Sequence, residues 1–281
     1  MKILITGGNG MVARAAKRIF ESLGDEVVSI SKEQLDIGNL SDVNSGLESI
    51  SPDAVFNCAA YTNVDGCESD SGLCFQVNAV GVENLASASR RIGAKFVTIS
   101  TDYVFDGGSP DFYTEEDTPN PISVYGKSKL EGERRALSVN QSSVVVRSGW
   151  IYGHGGTNFL SVVADKLSSG QSVTAISDSY GTPTFADDLC SSIRSLMDAD
   201  ASGIFHISNS GDGTSYHGFA VEVADALGLS SDLVAAISEK QLSRPAPRPV
   251  SSKLASVRLK DFGLKPPRDW RIALRDYLSV K

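Results

Sequence analysis

No apolar stretch in the 281 residues approaches the roughly 18 that a membrane-spanning helix needs. A bilayer is therefore not an expected partner. Cysteine is scarce. The four residues Cys58, Cys67, Cys74 and Cys190 show no metal-ligand spacing. Cys67 and Cys74 are near enough in sequence to pair, but nothing points to an oxidising compartment, so all four are expected as reduced thiols. Basic residues are outnumbered, 26 Lys and Arg against 34 Asp and Glu, for a net charge of -8. Such a chain repels phosphate backbones and is not expected to bind nucleic acid, although local basic spots can hold a small anion. The opening Met1-Lys2-Ile3-Leu4-Ile5 runs at once into glycines, too short for the apolar region of a signal peptide, so a cytoplasmic protein is expected. Internal repeats and low-complexity tracts are also missing.

What is present is ordinary globular composition, 41% hydrophobic and 21% charged, long enough for one large α/β domain and a smaller satellite. Apolar strands over 2–5, 26–30, 54–56, 95–99 and 143–147 alternate with amphipathic helices over 11–23, 42–50, 71–92 and 123–137. The helix over 71–92 is expected to break at Gly81. This alternation predicts a doubly wound parallel sheet covered on both faces, the Rossmann arrangement. Beyond Ser148 the rhythm becomes irregular. Helices are expected over 158–169, 186–197 and 216–227, and Arg244-Pro245-Ala246-Pro247-Arg248-Pro249 must be loop. The expected division is a nucleotide-binding domain over 1–150 and a mainly substrate-binding α/β domain over 151–281, with segments free to return to the first.

The turn after the first strand reads Thr6-Gly7-Gly8-Asn9-Gly10-Met11-Val12-Ala13. Glycines there let the backbone approach a pyrophosphate, and the following helix offers free N–H groups. The spacing departs from G-x-G-x-x-G, so its position at the first strand–helix junction carries the argument. Strand two ends at Ile30-Ser31-Lys32 without the acid that would hold an NAD ribose. Ser31, Lys32 and Arg14 could instead meet a 2′-phosphate, which favours NADPH while leaving NADH open. Asp36 and Ile37 could border the adenine. Strand three ends in Asn57-Cys58-Ala59-Ala60, and the small residues Cys58, Ala59 and Ala60 leave room for a cofactor.

Tyr125 and Lys129 stand four residues apart on one expected helix face. A free tyrosine titrates near 10, too high for neutral acid/base work, and a nearby ammonium would lower it. Strand four ends in Ser100-Thr101-Asp102-Tyr103-Val104-Phe105, at the sheet edge where ligands sit.

These segments, with Leu35-Asp36-Ile37, Tyr61-Thr62-Asn63-Val64-Asp65, Tyr125-Gly126-Lys127-Ser128-Lys129-Leu130-Glu131-Gly132-Glu133, Arg147-Ser148-Gly149-Trp150-Ile151-Tyr152-Gly153, Tyr180-Gly181-Thr182-Pro183-Thr184 and Gly203-Ile204-Phe205-His206, resemble the extended short-chain dehydrogenase/reductases. Within them they resemble the dTDP-4-dehydrorhamnose reductases, over nearly the whole chain. The resemblance implies NADPH-dependent reduction of a keto-sugar nucleotide. Thr101 would bond the substrate carbonyl, Tyr125 would deliver a proton, and Lys129 would hold the nicotinamide ribose and tune Tyr125. Gly7, Gly10, Met11, Ser100 and the strand ends above would bind cofactor. Asp102 and Trp150 would line the sugar pocket, and Asn158, Arg244 and Arg248 would contact substrate. Some members bind a metal through glutamates at a dimer interface. Arg14-Ala15-Ala16 lacks that acid, Asp187 could match another position, and Tyr277-Leu278-Ser279-Val280-Lys281 offers none. Neither that metal nor that dimer is expected, and the chain is expected as monomer or homodimer. Two rivals stand. One is a cofactor-retaining epimerase or dehydratase, although dehydratases place Asp-Glu after the threonine where this chain has Asp102-Tyr103. The other is a non-catalytic NADP-binding relative, the regulatory subunit of methionine adenosyltransferase.

Overall fold

The structure, a computed structural model, describes residues 1–279. The expected C-terminal tail therefore falls partly outside the described residues, at Val280 and Lys281.

Five strands follow one another with helical crossovers: β1 (Lys2–Thr6), β2 (Glu26–Ile30), β3 (Ala54–Asn57), β4 (Lys95–Thr101) and β5 (Val144–Ser148). After three short strands, β6 (Ile151–Tyr152), β7 (Val173–Ile176) and β8 (Tyr180–Gly181), and a fourth, β9 (Thr184–Phe185), the chain returns to the main sheet as β10 (Gly203–His206). The sheet order is β10-β5-β4-β3-β1-β2, and every pairing in it is parallel. The inner strands β3 and β5 are buried along their whole length, as two covered faces require.

The crossovers divide between the two faces of the sheet. Helices α1 (Met11–Ser22) and, later, α8 (Ala186–Asp198) cover one face, packing Ala16, Phe20, Leu189 and Ile193 on Ile3, Ile5, Val144 and Val146. The other face receives α2 (Leu40–Ile50), capped by the Asn39 side chain, and α5 (Gly81–Ile92), which pack Leu47, Val82 and Leu85 on Leu4, Val55 and Phe96. It also receives α6 (Val124–Val139), whose first turn is capped by Ser123 through Gly126 N–H at 3.1 Å.

Between β3 and α5 lie α3 (Val64–Ser69), α4 (Ser71–Phe75) and a wider π-type turn over Gln76–Val80. The expected break at Gly81 is not there. Gly81 keeps right-handed helical angles, and its missing side chain serves packing instead. A Cβ at Gly81 would stand 2.7 Å from the Ile37 side chain. A second correction lies nearby. Cys67 and Cys74, expected as free thiols, form a disulfide with Cα atoms 5.4 Å apart. The bend at Asp70 between two short helices folds this seven-residue separation back on itself, and no sequence spacing announces that. Cys58 and Cys190 are free.

A separate core forms beyond β5. Helices α7 (Phe159–Ser168), α9 (Tyr216–Ala226) and α10 (Trp270–Ser279) enclose Tyr152, Leu160, Val163, Phe219, Trp270 and Tyr277 with β7. Strand β7 pairs in parallel with β12 (Val234–Ile237), and β11 (Thr214–Ser215) pairs with β8. Among the described residues no helix is long and apolar enough to cross a membrane.

Candidate active site

The glycine turn is a close approach between β1, β2 and β3. Gly7 has φ +69°, and a Cβ there would lie 2.7 Å from Ala59 N. Only glycine accepts both constraints cheaply. Gly8 N–H donates to the Ile30 carbonyl at 2.8 Å and Gly10 N–H to Gly7 at 2.8 Å. Gly10 is the N-cap of α1 and makes no side-chain cap, so the first-turn N–H groups remain available to an anion. Beneath the turn, Thr6 Oγ1 donates to Asn57 Oδ1 at 2.6 Å, and Asn57 Nδ2 donates to Thr98 Oγ1 at 3.0 Å. That chain fixes the ends of three strands relative to one another.

A cavity of about 1040 Å³ opens from this turn across the strand ends. Gly10, Met11, Cys58, Ala59, Ala60 and Ser100 line it, as do Thr101, Asp102, Tyr125 and Lys129. Trp150, Asn158 and Arg244 line its far end. Gly7, Ser31, Lys32, Asp36, Ile37 and Arg248 lie outside that lining. Ile37 is buried, and its carbonyl accepts from Asn84 Nδ2 at 2.9 Å. Asp36 accepts from Gly38 N–H at 2.9 Å. Lys32 is exposed. Ser31 Oγ donates to Glu33 at 2.5 Å, a bond that holds the Glu33 carboxyl below its usual range. Arg14 is turned away from this tip and donates to the carbonyls of Asn9 and of Gly155.

Thr101 Oγ1 accepts from Tyr103 N–H at 3.1 Å and donates to Asp102 Oδ1 at 3.0 Å. Ser252 Oγ donates to the other Asp102 oxygen at 2.5 Å. Burial pushes the Asp102 carboxyl up to about 6, against the pull of those two hydroxyls. Burial also raises the Tyr125 phenol to about 12; its hydrogen bond with Thr101 works against this and the Asp102 charge adds to it. Burial outweighs the depression expected from Lys129, whose Nζ donates to the Ile99 carbonyl at 2.6 Å. Burial brings Lys129 down to about 8, opposed first by Glu133.

Trp150 adopts φ +50°, a strained backbone for a bulky residue. This turns its indole flat against Tyr216, with ring centroids 3.8 Å apart. Tyr216 also lines the cavity and was not among the expected site residues. Neither were Tyr103 and Ser148, which line it too. Tyr103 follows Asp102 directly and Ser148 lies two residues before Trp150, so both were open to inference. Tyr216 carries no local signal, since only tertiary stacking brings it in. Asn158 borders the cavity but spends its amide within the fold, accepting from Ser161 N–H of α7 at 3.0 Å and donating to Ile151 O of β6 at 2.8 Å. Arg244 leans on Glu239 at 3.3 Å. Arg248 forms a two-pronged pair with Asp65, at 3.0 and 2.9 Å, and braces the Arg-Pro loop against α3. Asp187 is taken by Arg18 at 2.5 Å. Among the described residues no group of three His, Cys, Asp or Glu side chains converges.

Comparison with known proteins bears on this site. The model of the family described as RmlD substrate binding domain matches residues 1–281. The spore coat polysaccharide biosynthesis protein SpsK of Bacillus subtilis is 35% identical over 280 residues, covering 100% of this chain and 98% of its own. The dTDP-4-dehydrorhamnose reductase of Sinorhizobium fredii is 35% identical over 286 residues, covering 98% of this chain and 96% of its own. The solved structure of dTDP-4-dehydrorhamnose reductase from Bacillus anthracis, in complex with NADP, superposes with a TM-score of 0.95 at 31% identity, covering 100% of this chain and 99% of that one.

Proposed function

The chain belongs to the RmlD substrate-binding family, and on that premise we propose that it reduces the C4 ketone of a nucleotide-linked 6-deoxy-4-keto sugar with NADPH, converting dTDP-4-dehydrorhamnose to dTDP-rhamnose. One observation carries the reading: a single cavity holds Thr101, Tyr125 and Lys129 between the glycine turn and the Trp150–Tyr216 stack.

The cofactor fits the chain's own features. The Gly7 approach that a Cβ would fill, the uncapped N-terminus of α1 and the small side chains Cys58, Ala59 and Ala60 suit a dinucleotide. NADPH, when bound, supplies the hydride. Lys32 and Ser31 at the exposed tip of β2 are the residues for its 2′-phosphate, with Asp36 and Ile37 beside the adenine. Lys129 would hold the nicotinamide ribose.

The chain's part is proton delivery and charge stabilisation. Thr101 and Tyr125 present hydroxyls to a ketone oxygen as negative charge grows there. A phenol held high keeps its proton at neutral pH, which is the form a reduction needs at its start. Trp150, with Asp102 and Tyr103 opposite, forms the sugar end, and Arg244 offers a planar fork to a diphosphate. We assign residues 1–150 mainly to cofactor and 151–281 mainly to substrate. A cytoplasmic location, and a monomer or homodimer, belong to the same reading.

The test is loss of nicotinamide absorbance with purified protein, NADPH and dTDP-4-dehydro-6-deoxy-L-mannose, with NADH in parallel. Substrate-dependent oxidation is expected, faster with NADPH. Tight NADPH binding without oxidation would overturn the reading in favour of the regulatory-subunit rival. Isomerised sugar with no net oxidation would favour an epimerase.

A further inference from the structure

Tyr125, Lys129 and Glu133 recur at four-residue spacing on one face of α6. Glu133 has no part in the reduction as derived above. Its side chain is only 2% exposed, as is that of its partner Arg147 on β5. Arg147 Nε donates to the two carboxylate oxygens at 3.0 and 3.2 Å, and Nη2 donates to Oε2 at 2.7 Å. Ser100 Oγ donates to Oε1 from β4. Burying two ions costs several kcal/mol each, and an apolar pair of the same volume is often no less stable. Stability therefore gives no account of why an ion pair stands here.

One turn before Glu133, on the same face of α6, stands Lys129. Its ammonium donates to the Ile99 carbonyl, in a buried position that disfavours its charge. The other groups around it do not replace Glu133. Cys58, from the end of β3, is held as a neutral thiol by burial. Tyr125 keeps its proton, and Asp102 is occupied by Thr101 and Ser252. Elsewhere on α6, Lys127 and Arg134 are exposed, and Arg135 is paired with Glu131 and Glu83 of α5. On α3, Glu68 accepts from Val124 N–H. Behind Arg147 stand His206 of β10, 3.5 Å away, and then Glu115, which accepts from His206 N–H.

We propose that Glu133 is a positioning residue whose carboxylate, fixed by Arg147 and Ser100, keeps the Lys129 ammonium charged and seated for the cofactor ribose. The proposal rests on the reductase reading for its purpose, but its test does not. The measurement is an NMR titration of full-length protein labelled with 13C at lysine Cε, the Lys129 signal being assigned from Lys129→Arg. In Glu133→Gln the Lys129 midpoint moves down by about one pH unit. The alkaline limb of kcat/KM moves with it. Because Glu133→Gln strands the Arg147 charge, the deciding variant is Glu133→Gln with Arg147→Met, which leaves no unpaired ion. The same downward shift persists there. An unmoved midpoint in either variant, or a wild-type midpoint restored in the double variant, would show that Glu133 only satisfies Arg147 and would overturn the proposal. Wild-type protein without turnover would condemn the reductase reading alone, since the titration is read without substrate.

Discussion

Replacing Asp102 by Asn tests the electrostatics of the pocket most directly. Asp102 is 3% exposed, and its carboxyl is raised from 3.8 to about 6, chiefly by burial. A carboxyl raised in the fold favours the native state while protonated. Its contribution is complete below 3.8 and is lost as pH rises through about 6. The difference, about two pH units, corresponds to about 3 kcal/mol. Roughly half of that has been lost by pH 5, and the remainder, about 1–2 kcal/mol, is lost between there and pH 8. Asp102→Asn cannot ionise and escapes this loss. Changed hydrogen bonds to Thr101 and Ser252 shift the variant's stability at every pH, so the informative quantity is a difference of differences. Urea unfolding at pH 5 and pH 8, read by the buried Trp150 and Trp270, supplies it. The variant should gain about 1–2 kcal/mol on wild type between the two pH values. A gain within about 0.5 kcal/mol of zero would mean that Asp102 is solvated and ordinary, and would refute the argument.

Tyr125→Phe should abolish turnover while leaving NADPH affinity nearly intact, measured by cofactor fluorescence; unchanged turnover would sink the assigned chemistry. Tyr216→Ala removes a stack worth about 1 kcal/mol and should raise the substrate KM several-fold, whereas Tyr216→Phe should stay near wild type. Equal effects from both would point to the hydroxyl instead. Lys32→Ala should weaken NADPH but not NADH in parallel KM measurements, and equal weakening would remove it from the 2′-phosphate. Gly81→Ala brings a methyl within 2.7 Å of Ile37 and should cost about 1–3 kcal/mol in denaturant unfolding.

The strands, the glycine turn and the Tyr125–Lys129 spacing were legible because each is written in consecutive residues. The strand Val144–Ser148 is buried throughout and opens with the apolar run Val144-Val145-Val146. Tyr125 and Lys129 need only a helix to bring them together. The features that escaped depend on distant segments meeting. Gly81 reads as a break until Ile37 is seen against it. That Arg248 pairs with Asp65 of α3 is likewise invisible until the two segments meet. The Cys67–Cys74 bond needs the bend at Asp70, and Tyr216 needs the inverted backbone of Trp150. The direction of the Tyr125 shift escaped for another reason. Spacing gives the neighbour, but not how deeply the fold buries the phenol.

Strand β10 constrains how such enzymes can be recombined. It belongs to the later half of the chain, yet it lies in the first sheet beside β5, and α8 covers that sheet jointly with α1. A chimera spliced near residue 150 would thus exchange one edge of the main sheet along with the later core. Grafting a relative's specificity calls for at least three crossovers, around α8 and β10, so that residues 186–206 stay with their own first half. Inheritance in this fold follows the sheet and not the order of the chain.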